Sequence, residues 1–115
     1  MKVPQIGDSV RVKKGVKDIL VNVDLGGCQG RITRIIDDEC PCCGHKVTIF
    51  EVDFDSITMK QMSPEMIKLL NDDGCDFSQN EFTYEEITVV KPRDTKAQAK
   101  ATRKELHKKY DGNQE

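Results

Sequence analysis

Residues 46–54, KVTIFEVDF, alternate without a break: Thr48, Phe50, Val52 and Phe54 fall on one parity, and Val47, Ile49, Glu51 and Asp53 on the other. A period of two sends successive side chains to opposite faces of an extended chain, so this stretch is predicted to be a strand. Around it lie other short runs of the same kind, each set off by turn residues. Ser9–Lys14 follows Gly7-Asp8, and Arg31–Ile36 follows Gly26-Gly27 and Gly30. Ile57–Met59 follows an Asp55-Ser56 turn, and Ile87–Val90 is stopped by Pro92. No long helical run separates these strands, which argues against a parallel sheet and for a small barrel or sandwich.

One helix is inserted. Ser63 suits the cap, Pro64 the first helical position and Glu65 the positive end of the dipole. Met66, Ile67, Leu69 and Leu70 supply its apolar face, and Asn71 to Gly74 ends it. Thr83–Glu86 has capping-box spacing and reads as a single helical turn. Between Gly15 and Gly27 runs a long loop that carries Ile19, Leu20, Val21, Val23 and Leu25. From Asp94 or Thr95 to about Tyr110 the chain is rich in Ala, Lys and Glu, with a thin apolar stripe of Ala99, Leu106 and Tyr110. The expected organisation is therefore a mainly β domain over residues 1–92 with one short inserted helix, then a basic helical or partly disordered tail over 93–115.

Hydrophobic residues make up 37 % of the chain and charged residues 33 %, which limits it to a small core. No apolar run reaches the roughly 20 residues of a membrane span, and the N-terminus has no apolar stretch of signal-peptide length. The expected location is cytoplasmic, with no membrane partner. Five cysteines, an odd number with three inside residues 40–43, read as reduced thiols rather than a disulfide framework. The net charge of −2 divides into three blocks: residues 1–35 carry +4, residues 36–90 carry −10 and residues 91–115 carry +4. Such segregation can steer partners of either sign, or it can be a solvated surface with a basic tail.

The stretch GDSVRVKKGVKDILVNVDLGGCQGRITRII, followed by VTIFEVDFDSITM and YEEITVV, resembles a family of small SH3-like barrel proteins. That family's pattern has a Gly-Val-x-Asp-Pro loop, then Gly-Gly-Trp-x-Gly-Arg, a strand ending in Asp-Ser-x-Thr and a Glu-rich turn before the last strand. The match runs over residues 7 to 95 and implies an SH3-like barrel, with little chemistry attached. Cys28 stands where the family has Trp, and Ile19 where it has Pro, so no aromatic ligand platform is implied at the barrel mouth. The first half also resembles a KOW motif through Val10, Gly15, Gly27, Gly30, Ile32 and Ile35.

The sharpest local signal is Cys40-Pro41-Cys42-Cys43-Gly44-His45. Cys40 and Cys43 have zinc-knuckle spacing, and His45 or Cys42 supplies a further donor for a structural zinc. A fourth ligand has to come from Cys28, Cys75 or His107, because no second C-x-x-C exists; the alternative is a polar hairpin loop with unligated thiols. A Cys43 nucleophile with His45 as base is the enzymatic reading, but two residues on one hairpin bring no cleft or oxyanion donor. Two binding readings remain. For a protein or peptide partner, the apolar loop residues Ile19, Leu20, Val21 and Val23 are the interface, and the C-terminal helix offers a route to homo-oligomers. For RNA, as in a KOW-like or ribosome-associated protein, the candidates are Arg11, Lys13, Lys14, Lys17, Arg31 and Arg34, with Arg11, Lys13, Arg31 and Arg34 as the phosphate-binding patch. The expected function is thus non-enzymatic binding, with protein or peptide ahead of RNA and zinc as the one cofactor considered.

Overall fold

The alternating stretch forms β3 with the bounds read from the sequence, Lys46–Phe54. The computed structural model describes residues 3–18, 22–39, 43–72 (Asp72 by its backbone alone) and 76–110. Phe50, Val52 and Phe54 are at most 2 % exposed, whereas Glu51 and Asp53 occupy the other face. β1 (Ser9–Val12), β2 (Gln29–Glu39), β4 (Gln79–Thr83) and β5 (Ile87–Val89) complete one five-stranded antiparallel sheet of order β4-β3-β2-β1-β5. The domain is mainly β. Val10, Val12, Ile32, Phe82 and Ile87 join the β3 side chains in its core.

β2 and β3 are the long central pair, and two features of β2 set their register. Gly30 faces Phe54, and a Cβ there would stand 2.1 Å from the Asp53 carbonyl oxygen, so glycine alone permits this approach. Further along, the register shifts between Ile32 and Arg34. An unbroken strand would send Arg31 and Arg34 to opposite faces. The extra residue instead puts Arg31 opposite Asp53 and Arg34 opposite Glu51, on one face.

Two of the expected elements change. Residues 57–59, expected as a strand, belong to helix α1 (Ser56–Gln61), so two helices rather than one are inserted between β3 and the next strand. The cause is Asp55, whose side chain caps the helix by accepting the Thr58 N–H at 2.7 Å. Thr58 and Met59 then point into the core, a burial that outweighs the β preference of Ile57 and Thr58. β4, QNEFT, is an additional strand with a single buried apolar residue, Phe82, as befits a sheet edge. Helix α2 (Pro64–Asp72) starts as expected: Ser63 Oγ accepts the Met66 N–H at 3.1 Å, and Ile67 and Leu70 are buried. Leu69, counted above on the apolar face, is 44 % exposed. The Thr83 cap and its 3-10 turn (Tyr84–Glu86) also form, with Thr83 N–H donating to Glu86 Oε1 at 2.8 Å.

Helix α3 (Lys96–Tyr110) lies against α1 and the sheet, with Ala99 and Thr102 buried and Leu106 and Tyr110 packed on the core. Its thin apolar stripe is therefore spent inside the chain. The boundary expected at residue 92 is tied down on both sides. Gln29 Nε2 donates to the Lys91 carbonyl at 2.8 Å, Arg93 forks onto Asp55 at 3.0 Å, and Arg31 donates to both the side chain and the carbonyl of Asp94. Among the described residues, no helix is long and apolar enough to cross a membrane.

Candidate functional site

The loop between β1 and β2 is a small hairpin of its own. Lys17 and Asp24 pair through their backbones as an antiparallel bridge, Asp18 N–H donates to the Val23 carbonyl at 2.8 Å, and Leu25 N–H donates to the Val16 carbonyl at 2.8 Å. Asn22, at φ 58°, makes the tight return in the left-handed region that asparagine tolerates. The hairpin folds across to the free edge of β4, where Asn80 Nδ2 donates to Asp18 Oδ2 at 2.9 Å.

Between that hairpin and β4 runs a groove of about 790 Å³. Leu25, Leu70 and Phe82, with Val16 and Ile49, give it apolar walls. Its rim is acidic: among the described residues Asp18, Glu51, Asp76, Glu81 and Glu86 line it, against one cation, Lys17. Glu51 and Glu81 stand directly opposite each other in the β3–β4 register, a like-charge pair that a bound cation would relieve. The N–H groups on the outer side of β4 are already occupied, that of Glu81 by Asn80 Oδ1 and that of Thr83 by Glu86 Oε1, both at 2.8 Å. Recognition in this groove thus falls to side chains rather than to an added strand.

The residues nominated from the sequence are scattered by the fold. Val23 is half-buried against the core, and Ile19, Leu20 and Val21 lie outside the described residues. The other side of the same hairpin, with Arg11, Lys13, Lys14, Gly26 and Gly27, lines a second cleft of about 540 Å³. Arg31 does not join it. Its side chain is 13 % exposed and paired with Asp94 at 2.9 Å. Arg34 is exposed and sits opposite Glu51 in the register, so of the four-residue basic patch Arg11 and Lys13 line the cleft, Arg31 is paired and Arg34 stands apart on β2.

At the β2–β3 hairpin, Cys40 and Cys42 lie outside the described residues. Cys43 Sγ and His45 Nδ1 are 3.2 Å apart, exposed, and line neither cleft. Neither of the described candidates for a fourth ligand can reach them. Cys28 precedes the 11 residues of β2 and the tip follows them, a separation of roughly 35 Å. His107 Nε2 lies 2.9 Å from Asp76 Oδ1, beside the Gln79–Asp53 pair at the opposite end of β3. Cys75 lies outside the described residues. Cys28 itself is pushed up to about 11 by burial and then by the charges of Asp24 and Asp55, against a smaller opposing effect of Arg93; its thiol stays protonated at neutral pH.

What the sequence reading missed is a belt of charge pairs under α3. Asp55 is held by Arg93, Asp94 by Arg31 and by the Ser56 N–H at 2.8 Å, and Asp76 by His107. Arg103 reaches Asp53 at 3.7 Å and the Phe54 carbonyl at 3.4 Å. The signal was present in the blocks of charge: a −10 middle and a +4 end are complementary within one chain. No family model, curated protein or solved structure matches the chain, so these residues carry the functional argument by themselves.

Proposed function

We propose that this chain is a non-enzymatic binding module, built as an SH3-like barrel, whose acidic groove receives a basic peptide segment of a protein partner. Supporting the barrel is the way the sheet's two edges connect. β4 and β5 are separated by three strands in the sheet order yet joined by only the turn Tyr84–Glu86. A flat sheet would hold its edges about 19 Å apart at roughly 4.8 Å per strand. Four Cα steps reach at most about 15 Å, and a 3-10 turn much less, so the sheet has to curl. The Lys13 N–H, which donates to the Glu86 carbonyl at 2.8 Å, stitches that corner to the end of β1.

The observation that carries the function is the composition of the groove: among the described residues, the half-exposed Val16 and Ile49 over the buried Leu25, Leu70 and Phe82, inside a rim of five carboxylates and one lysine. Lysine and arginine suit it doubly, because their aliphatic stems cover apolar surface while the charge stays at the rim. The test is fluorescence anisotropy with two labelled peptides of equal length and leucine content, one bearing Lys/Arg and the other Asp/Glu at the same positions. The basic peptide should bind, the acidic one should not, and Glu81→Lys should abolish the difference. Equal behaviour of the two peptides would sink the reading.

A further inference from the structure

The second cleft differs from the acidic groove in sign: Arg11, Lys13 and Lys14 line it together. Among the described residues Arg31, Arg93 and Arg103 have carboxylate partners within 4.0 Å, whereas these three, like Lys17 and Arg34, have none, and only here do three such cations share one cleft. Arg11 and Lys13 share the outer face of β1, about 6.7 Å apart along the strand, and Thr88 of β5 stands directly beside Arg11 in the register. The opposite wall is bare backbone. Gly26 passes so close to Lys14 and Gly15 that a Cβ on it would lie 3.1 Å from the Lys14 Cα, and Gly27 holds φ +88°. Among the described lining residues the one acid, Asp24, accepts the Gly26 N–H through Oδ1 at 2.8 Å.

Three free cations over a glycine wall, with a hydroxyl at hand, form a site for a phosphate chain rather than for a single ion. The spacing along β1 matches more than one negative group, and the small wall lets those groups approach the main chain. Among the described residues no aromatic ring lines the cleft. Phe50, Phe54, Phe77 and Phe82 are all buried, and neither Tyr84 nor Tyr110 lines the cleft, so no ring is placed to stack a base. We infer that the cleft formed by Arg11, Lys13, Lys14, Gly26 and Gly27 binds a polyphosphate or phosphodiester chain through its phosphates alone, independently of base identity. This site lies on the other side of the β1–β2 hairpin from the peptide groove and does not depend on it.

The experiment is a titration of the full chain with labelled oligo-uridine and oligo-adenosine RNA over a range of salt, with inorganic tripolyphosphate as competitor. With three phosphates neutralised, log Kd against log salt should have a slope of about 2, following roughly 0.7 per phosphate for single strands. The two RNAs should bind within about twofold of each other. Arg11→Glu combined with Lys13→Glu should weaken binding at least about tenfold without altering the circular dichroism spectrum, while Arg34→Glu should leave it within about twofold. Competition by tripolyphosphate at lower concentration than RNA would name a small polyphosphate as the source; tighter RNA binding would name a nucleic-acid backbone. Binding that ignores salt, discriminates between the bases, or falls equally in Arg34→Glu would overturn the inference.

Discussion

Two charged regions of this molecule invite comparison: the belt beneath α3 and the surroundings of the β1–β2 hairpin. In the belt every charge has an opposite within reach. The Asp55 and Asp94 side chains are each 3 % exposed and meet Arg93 and Arg31 at 3.0 and 2.9 Å. Around the hairpin the signs are sorted by side. Among the described residues five carboxylates line the groove on one side, Asp76 being shared with the belt, and three cations line the cleft on the other. A buried charge demands a partner, because desolvation without one costs several kcal/mol. An exposed charge makes no such demand and remains available to a ligand. The belt is architecture, and the hairpin's two sides are where binding is proposed.

The comparison is most directly broken at Asp55. Asp55→Ala removes the α1 cap and strands Arg93, so urea unfolding should show a loss of about 3–5 kcal/mol. A loss below about 1 kcal/mol would mean that the belt is ornament. Acid comes next. Burial pushes the Asp94 carboxyl up, but the bonds from Ser56 and Arg31 outweigh it and hold it below its ordinary value. Asp76 behaves alike, raised by burial and lowered further by the Ser78 hydroxyl and N–H and by His107. Carboxyls depressed in the folded state contribute stability that is present above the unfolded value of about 3.9 and is lost as pH falls through the folded values. Urea midpoints should therefore hold steady from neutral pH to about 5 and drop below about 4, with a shallower drop in Asp94→Asn.

The groove should answer oppositely. Glu81→Lys removes the repulsion from Glu51, so stability should rise by about 0.2–1 kcal/mol, even as affinity for a basic peptide falls at least tenfold. Loss of both together would place Glu81 among the architectural charges. The smallest effect is expected at the β2–β3 tip. Cys43, Gly44, His45, Lys46 and Val47 are exposed and touch none of the core, so Cys43→Ser, His45→Ala or treatment with a chelator should change unfolding by less than about 0.5 kcal/mol. A larger change on chelation would put a structural metal at that tip.

The elements legible in the chain were those whose cause is local. The alternation of 46–54, the Ser63-Pro64-Glu65 start of α2 and the Thr83–Glu86 box each depend on residues a few positions apart. The misses turn on distant contacts. Ile57-Thr58-Met59 is extended by propensity; its Asp55 cap is local, but the helix is decided by the burial of Thr58 and Met59 and by Arg93 holding Asp55. QNEFT has too few apolar residues to declare itself and is a strand because β3 offers it an edge. The candidate site was legible only in part. Arg11, Lys13 and Lys14 stand out along the chain, but Glu81 and Asp18 do not, since their relevance comes from the folding of the hairpin toward β4.

By itself the sequence determined that the chain is mainly β, where its long strand and second helix begin, and that its charges are segregated into blocks. The tertiary structure decided which of those charges are used up. Arg31 and Arg34 look equivalent to Arg11 and Lys13 along the chain. Yet Arg31 is claimed by a carboxylate 63 residues away, and one inserted residue in β2 places Arg34 in register with Glu51, away from the cleft of Arg11 and Lys13. Side-chain periodicity is written in neighbouring residues, whereas the partner of a charge is fixed only when distant segments return to the same place.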